Sequence, residues 1–196
     1  MSTKLDLIVV GAGPAGLACG IQAKKRNLDF LILEKGCIVN SIYHYPVDMT
    51  FFTTADLLEI GDMPMIISSE KPKRTDGLRY YRRAVDYFSL PVRDYERVVS
   101  VEGERGNFRV RSVNRLGEAE DRQCGRIILA TGYYDNPNLL GIPGEDLSKV
   151  RHYYSDCHPY HKKKLAVIGG NNSAAEAALD LFRNGGAEVT LIHRGK

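Results

Sequence analysis

Ile8-Val9-Val10-Gly11-Ala12-Gly13-Pro14-Ala15-Gly16 is the stretch on which the reading of this chain turns. The apolar run Leu5–Val10 leads into it and reads as a buried parallel strand. Residues 14–26 follow with helical periodicity through Leu17, Ala18, Ile21 and Gln22, and Phe30–Leu33 reads as a second strand. Together they make a β-α-β unit of about 30 residues, the size a right-handed crossover requires. The glycines alone are weak evidence. With 19 Gly among 196 residues, three specified glycines arise by chance with a probability on the order of 0.2. Context strengthens them: the pattern closes a strand, opens a helix and is followed about 20 residues on by Glu34 at the end of the next strand. Gly11 then permits the tight turn, Gly13 lets a pyrophosphate approach the backbone, and Gly16 lets the helix pack closely on the strand. The helix start, at Pro14 and Ala15, offers free N–H groups and a positive dipole end to phosphate. Glu34 is expected to accept hydrogen bonds from ribose hydroxyls and to repel a 2′-phosphate, so this site is expected to hold FAD or NAD rather than NADP. A packed strand-turn-helix without a ligand is the alternative.

A second fingerprint, Val167-Ile168-Gly169-Gly170-Asn171-Asn172-Ser173-Ala174, repeats the pattern near the end of the chain, with strands over 165–168 and 187–192 around a helix over 173–184. Asn171 replaces the second glycine. Asn tolerates positive φ better than most residues, so the turn is expected to survive, leaving Gly169, Gly170, Asn172, Ser173 and Ala174 to face a phosphate. Where the first unit ends in Glu34, the second ends in His193-Arg194, with Lys196 beyond. An arginine there is the expected way to accept a 2′-phosphate, which points to NADPH. Ordinary surface charge is the other reading of these three residues.

Between the two units, residues 40–64 are aromatic and irregular, a length of loop that is usually functional. A helix is expected over 74–88, strands over 98–101, 107–113 and 126–130, and a Gly/Pro-rich linker over 131–147. The fold class is therefore α/β: a Rossmann-like, three-layer FAD-binding domain over residues 1–135, followed by the start of a second Rossmann-like domain, for NADPH, over residues 140–196. Composition is that of a soluble globular protein, with 43% hydrophobic and 26% charged residues. A net charge of +3 is too mild and dispersed to suggest nucleic acid, and the lysine clusters at 71–74 and 162–164 read as solvated turns. No apolar run approaches the roughly 18 residues of a membrane span, and no signal peptide is read at the N-terminus. Four cysteines, Cys19, Cys37, Cys124 and Cys157, lack CxxC spacing, which fits a reducing cytoplasm. No metal site is expected.

The order of features resembles the two-dinucleotide-domain, thioredoxin-reductase-like flavoproteins, and within them the bacillithiol-disulfide reductase family. The residues that carry the resemblance are Glu34-Lys35-Gly36, Ile38-Val39-Asn40-Ser41-Ile42-Tyr43, Tyr45-Pro46, Thr50-Phe51-Phe52, Glu59-Ile60-Gly61-Asp62, and Ala130-Thr131-Gly132-Tyr133-Tyr134-Asp135-Asn136-Pro137-Asn138. It implies FAD in the first domain, NADPH in the second, hydride transfer to the flavin and onward transfer to a low-molecular-weight disulfide or another small electron acceptor. It also implies that Lys35, Tyr43, Tyr45, Thr50, Thr131 and Gly132 lie at the cofactor, whereas Phe51 and Phe52 read as caps on the core. A homo-oligomer is among the expected assemblies. Two departures accompany it. The family's pattern carries a cysteine immediately before the last glycine of the first fingerprint, and Ala15 stands there. The family also returns to the FAD domain after the NADPH domain, so the chain is expected to be an N-terminal portion with weak turnover or none. Cys157 falls near the place of the thioredoxin-reductase CxxC pair and is a candidate redox thiol, with His158 beside it to lower its pKa; an incidental cysteine is the alternative. Cys19 reads as core. Two other functions stay open: a flavin monooxygenase, from Thr131-Gly132, Pro137 and Ile142-Pro143-Gly144, and a non-catalytic nucleotide-binding module.

Overall fold

The computed structural model describes residues 4–195. The chain divides into two compact units, one of residues Met1–Tyr45 and Met49–Pro137, the other of Pro46–Asp48 and Asn138–Lys196.

In the first unit, β1 (Leu5–Val10) lies between two parallel neighbours, β2 (Phe30–Leu33) and β6 (Ala119–Leu129). Ile8 and Val9 are both fully buried although they point to opposite faces, so the strand is covered on both sides, as its unbroken apolar run requires. One cover is helical. Helix α1 (Pro14–Lys25) buries Leu17 and Ile21 against the sheet, begins with proline at its first turn and ends in Lys24 and Lys25, which complement its dipole. Helix α3 (Arg74–Tyr87) adds Tyr81, Ala84 and Val85 to the same core. The other cover is an antiparallel meander, β4 (Glu96–Glu104), β5 (Asn107–Asn114) and the first half of β6, which packs Val98, Phe108 and Val110 on Ile8 and Leu33. With the short edge strand β3 (Val92–Arg93) the sheet order is β3-β2-β1-β6-β5-β4. This is the expected Rossmann-like α/β architecture.

β4 and β6 are much longer than the strands expected over 98–101 and 126–130. Their missing halves contain Glu96 and Arg122, which read as loop residues but are each only 8% exposed. Arg122 donates to Glu96 at 2.5 Å and to Ser112 Oγ at 2.7 Å, and Ser112 donates to Glu96 at 2.6 Å. A buried ion pair in inward-facing positions breaks the apolar alternation by which a strand is recognised. The segment over 40–64 is also more ordered than its lack of periodicity suggests. It contains the one-turn helix α2 (Asn40–Tyr43) and a 3-10 turn at Ala55–Leu58. Two tyrosines of α3 satisfy its backbone: Tyr80 Oη accepts from Ile60 N–H at 2.8 Å and donates to the Met63 carbonyl at 2.7 Å, and Tyr81 donates to the Leu58 carbonyl at 2.9 Å.

The second unit is smaller. β7 (Lys164–Ile168) and β8 (Glu188–Ile192) pair in parallel, joined through α4 (Asn172–Arg183), which buries Ala177 and Leu181. Before them, Glu145 accepts backbone N–H groups from Leu140 and Gly141 at 2.8 and 2.7 Å, so part of the expected linker is an ordered turn. Val47 joins this unit by donating to the Ser155 carbonyl at 2.9 Å. Among the described residues, no helix is long and apolar enough to cross a membrane.

Candidate functional site

A cavity of about 430 Å³ opens in the first unit where β1 and β2 end and α1 begins, the place where open α/β sheets bind ligands. Its floor is the first fingerprint, and the three glycines there are glycine for different reasons. Gly11 has φ +109°, and a Cβ on it would sit 2.3 Å from the Ala130 carbonyl oxygen. A Cβ on Gly16 would sit 1.9 Å from the Gly11 carbonyl oxygen. Both are required by the packing of the protein on itself. Gly13 differs: it has ordinary extended backbone, φ −72° and ψ 176°, and a Cβ on it would meet nothing within 4 Å. The side chain missing at Gly13 leaves empty space in the cavity at the N-terminus of α1. That is a cradle a Cβ would fill, and it fits a pyrophosphate held by the helix's first N–H groups. Pro14 and Ala15 line the same floor.

Glu34 stands on the wall of this cavity, 6% exposed. Its Oε2 accepts the Ala12 N–H and its Oε1 the Gly36 N–H, both at 2.8 Å. The carboxylate thus clamps the fingerprint turn to the end of β2, and each oxygen keeps a lone pair for a ligand hydroxyl. Lys35, Thr131 and Gly132 also line the cavity, and Lys35 is paired with Asp135. Tyr45 lines it too, stacked edge-on against Tyr134 with centroids 4.9 Å apart. Burial, helped by the nearby Tyr133 phenol, raises the Tyr45 hydroxyl above its ordinary value.

Tyr43 and Thr50 are not among the cavity's lining residues. The Tyr43 ring is 53% exposed, lies under the Arg74 guanidinium at 5.5 Å and meets the His44 ring. Thr50 is exposed and bridges to Lys73. Phe51 is buried in the core as expected and also borders the cavity, as does Tyr81, whose burial pushes its phenol up to about 12. Phe52 is exposed. Arg97, which no sequence motif marks, also lines the cavity. The available signal was its position next to Glu96, whose burial only the structure reveals.

In the second unit the fingerprint turn is made differently from the expectation. Positive φ falls on Gly169, at +147°, while Asn171 is extended, with φ −94° and ψ 174°. The turn survives because the first glycine makes it; the tolerance of Asn for positive φ plays no part. Gly169 packs against Ala174, and Gly170 lies under His193, whose ring carbon Cγ would be 3.2 Å from a Cβ there. Asn172, Ser173, His193 and Arg194 are exposed around the start of α4. Lys196 lies outside the described residues.

Cys157 is half-buried, and its thiol is pushed up, first by burial and then by the carboxylates of Asp180 and Asp156. The net shift is therefore upward, the reverse of the lowering expected beside His158, with burial the larger cause and the two carboxylates adding to it. Cys19 packs against the core as expected. Among the described residues the cysteines are unpaired, and none lines the cavity.

The family model described as pyridine nucleotide-disulphide oxidoreductase matches residues 8–196. Bacilliredoxin reductase Bdr of Bacillus subtilis strain 168 is 44% identical over 188 residues, 96% of this chain and 56% of that protein. The solved bacillithiol disulfide reductase Bdr of Bacillus cereus superposes with a TM-score of 0.95 at 44% identity, over 98% of this chain and 59% of its own. A flavin-containing monooxygenase from Stenotrophomonas maltophilia is more distant, with a TM-score of 0.83 at 26% identity over 100% of this chain and 59% of its own. The chain thus spans between half and two thirds of the length of these relatives. By sequence and by fold, it belongs to the pyridine nucleotide-disulphide oxidoreductase family.

Proposed function

We propose that this chain carries the FAD-binding domain (residues 1–135) and the opening of the NADPH-binding domain (residues 140–196) of a flavoprotein oxidoreductase. Its reaction takes hydride from NADPH and passes the electrons to a low-molecular-weight disulfide of the bacillithiol type, in the cytoplasm. The observation that carries this reading is the open space over Gly13, at a helix N-terminus and beside a buried Glu34 with free lone pairs. FAD, when bound, supplies the two-electron relay between the nicotinamide and the acceptor. The chain's own residues bind and orient. The amides following Pro14 hold the pyrophosphate, Gly13 leaves room for it, and Glu34 takes the ribose hydroxyls. Lys35, Tyr45, Thr131 and Gly132 wall the cavity. At the second site, Gly169, Gly170, Asn172, Ser173 and Ala174 face the nicotinamide dinucleotide's phosphates, and His193 and Arg194 take its 2′-phosphate through charge-assisted bonds.

A second acceptor reading is favoured by one observation. Ala15 lines the cavity and no described cysteine does, which suits an acceptor that takes electrons directly, such as dioxygen in a monooxygenase. The test is an anaerobic titration of the whole flavoprotein that contains this chain, loaded with FAD. NADPH is expected to bleach the flavin, and a small disulfide to restore its colour without oxygen. A flavin that only oxygen restores, with hydroxylation of a substrate, supports the monooxygenase reading. A protein that takes up no FAD contradicts both.

A further inference from the structure

Arg97 sits on the cavity wall one residue beyond a rigid anchor, and its own side chain is uncommitted. Glu96 N–H donates to the Glu34 carbonyl at 2.8 Å, and the Glu96 carboxylate is locked by Arg122 and Ser112 at 2.5 and 2.6 Å. Arg97 pairs with Val113 across the β4–β5 ladder. The backbone that presents it is therefore held on both sides, at a fixed place beside the end of β2. Alternation along β4 turns Glu96 into the protein and Arg97 out to the opposite, exposed face, and Arg97 borders the cavity from there. Among the described residues, no hydrogen bond or ion pair occupies its guanidinium. A cation placed at a cavity wall and left without a protein partner calls for a ligand. Its planar group is suited to the face of an aromatic heterocycle. In a dinucleotide whose pyrophosphate lies at Gly13 and whose ribose lies at Glu34, the next group along is the base.

We propose that Arg97 stacks its guanidinium on the adenine of the bound cofactor and makes the cavity selective for adenylates. The proposal rests on the reading that this cavity holds FAD. To test it, the chain and its Arg97→Ala and Arg97→Lys variants are titrated with FAD, ADP and FMN, by flavin fluorescence and calorimetry. Arg97→Ala is expected to weaken FAD and ADP by the same factor, about threefold to thirtyfold, the range of a cation over an aromatic face. FMN, which has no adenine, should be unaffected. Arg97→Lys keeps the charge but loses the plane, and should recover less than half of the loss on a logarithmic scale. Unchanged thermal unfolding is expected for both variants, because the side chain is exposed. Wild-type affinity in Arg97→Ala, full rescue by Lys, or a parallel fall for FMN would each overturn the proposal. If the unsubstituted chain binds ADP but not FAD, the FAD reading fails while the ADP series still decides the role of Arg97. If it binds neither, both fail.

Discussion

The two fingerprints share a backbone and differ in what surrounds it. Gly13 and Asn171 hold the same place, the residue before the helix, with nearly the same angles: φ −72°, ψ 176° and φ −94°, ψ 174°. Since any residue adopts that conformation, the glycine at 13 answers to space, and the asparagine at 171 costs the turn nothing. The last position separates the units further. A Cβ at Gly16 would sit 1.9 Å from a carbonyl oxygen, whereas Ala174 is accommodated in the equivalent place. The surroundings follow the same division. In the first unit both faces of β1 are buried, whereas in the second Ile168, Leu191 and Ile192 remain about half exposed. One fingerprint is built into a closed core. The other sits on a two-stranded sheet with a single helix.

The largest effect that sharpens this contrast lies in the closed core. Arg122→Ala removes one partner of a buried ion pair and should destabilise the first unit by about 3–5 kcal/mol, read by denaturant unfolding; no substitution of an exposed charge in the second unit should approach that. The same pair gives a pH signature. Burial alone would raise the Glu96 carboxyl, but the hydrogen bonds from Ser112 and Arg122 together hold it below the usual glutamate range. Because its folded value is depressed, the stabilisation is complete above the usual glutamate range and is lost as pH falls through the lowered value. Acid unfolding followed across that range should show this limb in the wild type and a shallower one in Arg122→Ala.

Next in size is the nicotinamide preference. A charge-assisted contact to phosphate contributes roughly 1.5–3 kcal/mol, so NADPH should bind one to two decades more tightly than NADH. Arg194→Ala should erase most of that gap and leave NADH binding nearly unchanged; equal affinities in the wild type would remove the argument from the second unit's basic end. The smallest effect is expected from Asn171→Gly. The backbone there is already extended, so thermal unfolding should shift by the equivalent of about 1 kcal/mol or less. A large stabilisation would mean that Asn171 is strained, and the equivalence with Gly13 would be wrong.

What could be read from the chain alone follows the same division between local and distant causes. β1, α1 and β2 were legible because their apolar spacing and their punctuation by Gly11, Gly13 and Gly16 are local. Glu34 was legible as the acid that ends the second strand, but its clamp on Ala12 and Gly36 was not, because a carboxylate reaching backbone N–H groups leaves no trace in spacing. The early parts of β4 and β6 were hidden by Glu96 and Arg122, polar residues in core positions. The order within 40–64 comes from hydroxyls of Tyr80 and Tyr81, some 20 residues away in sequence. For the same reason the places of Phe51, Tyr81 and Arg97 on the cavity are not legible in the sequence, and Tyr43 and Thr50, which resemblance and aromatic density suggest, are not among its lining residues.

Gly13→Val separates a glycine kept for a ligand from one kept for packing. FAD binding is measured by titration, and thermal unfolding is followed without FAD. The expected result is a variant that unfolds like the wild type, because a Cβ there has no protein atom within 4 Å, and that no longer binds FAD. A variant that binds FAD as well as the wild type, or one that loses its fold before any ligand is added, would contradict the ligand role of Gly13.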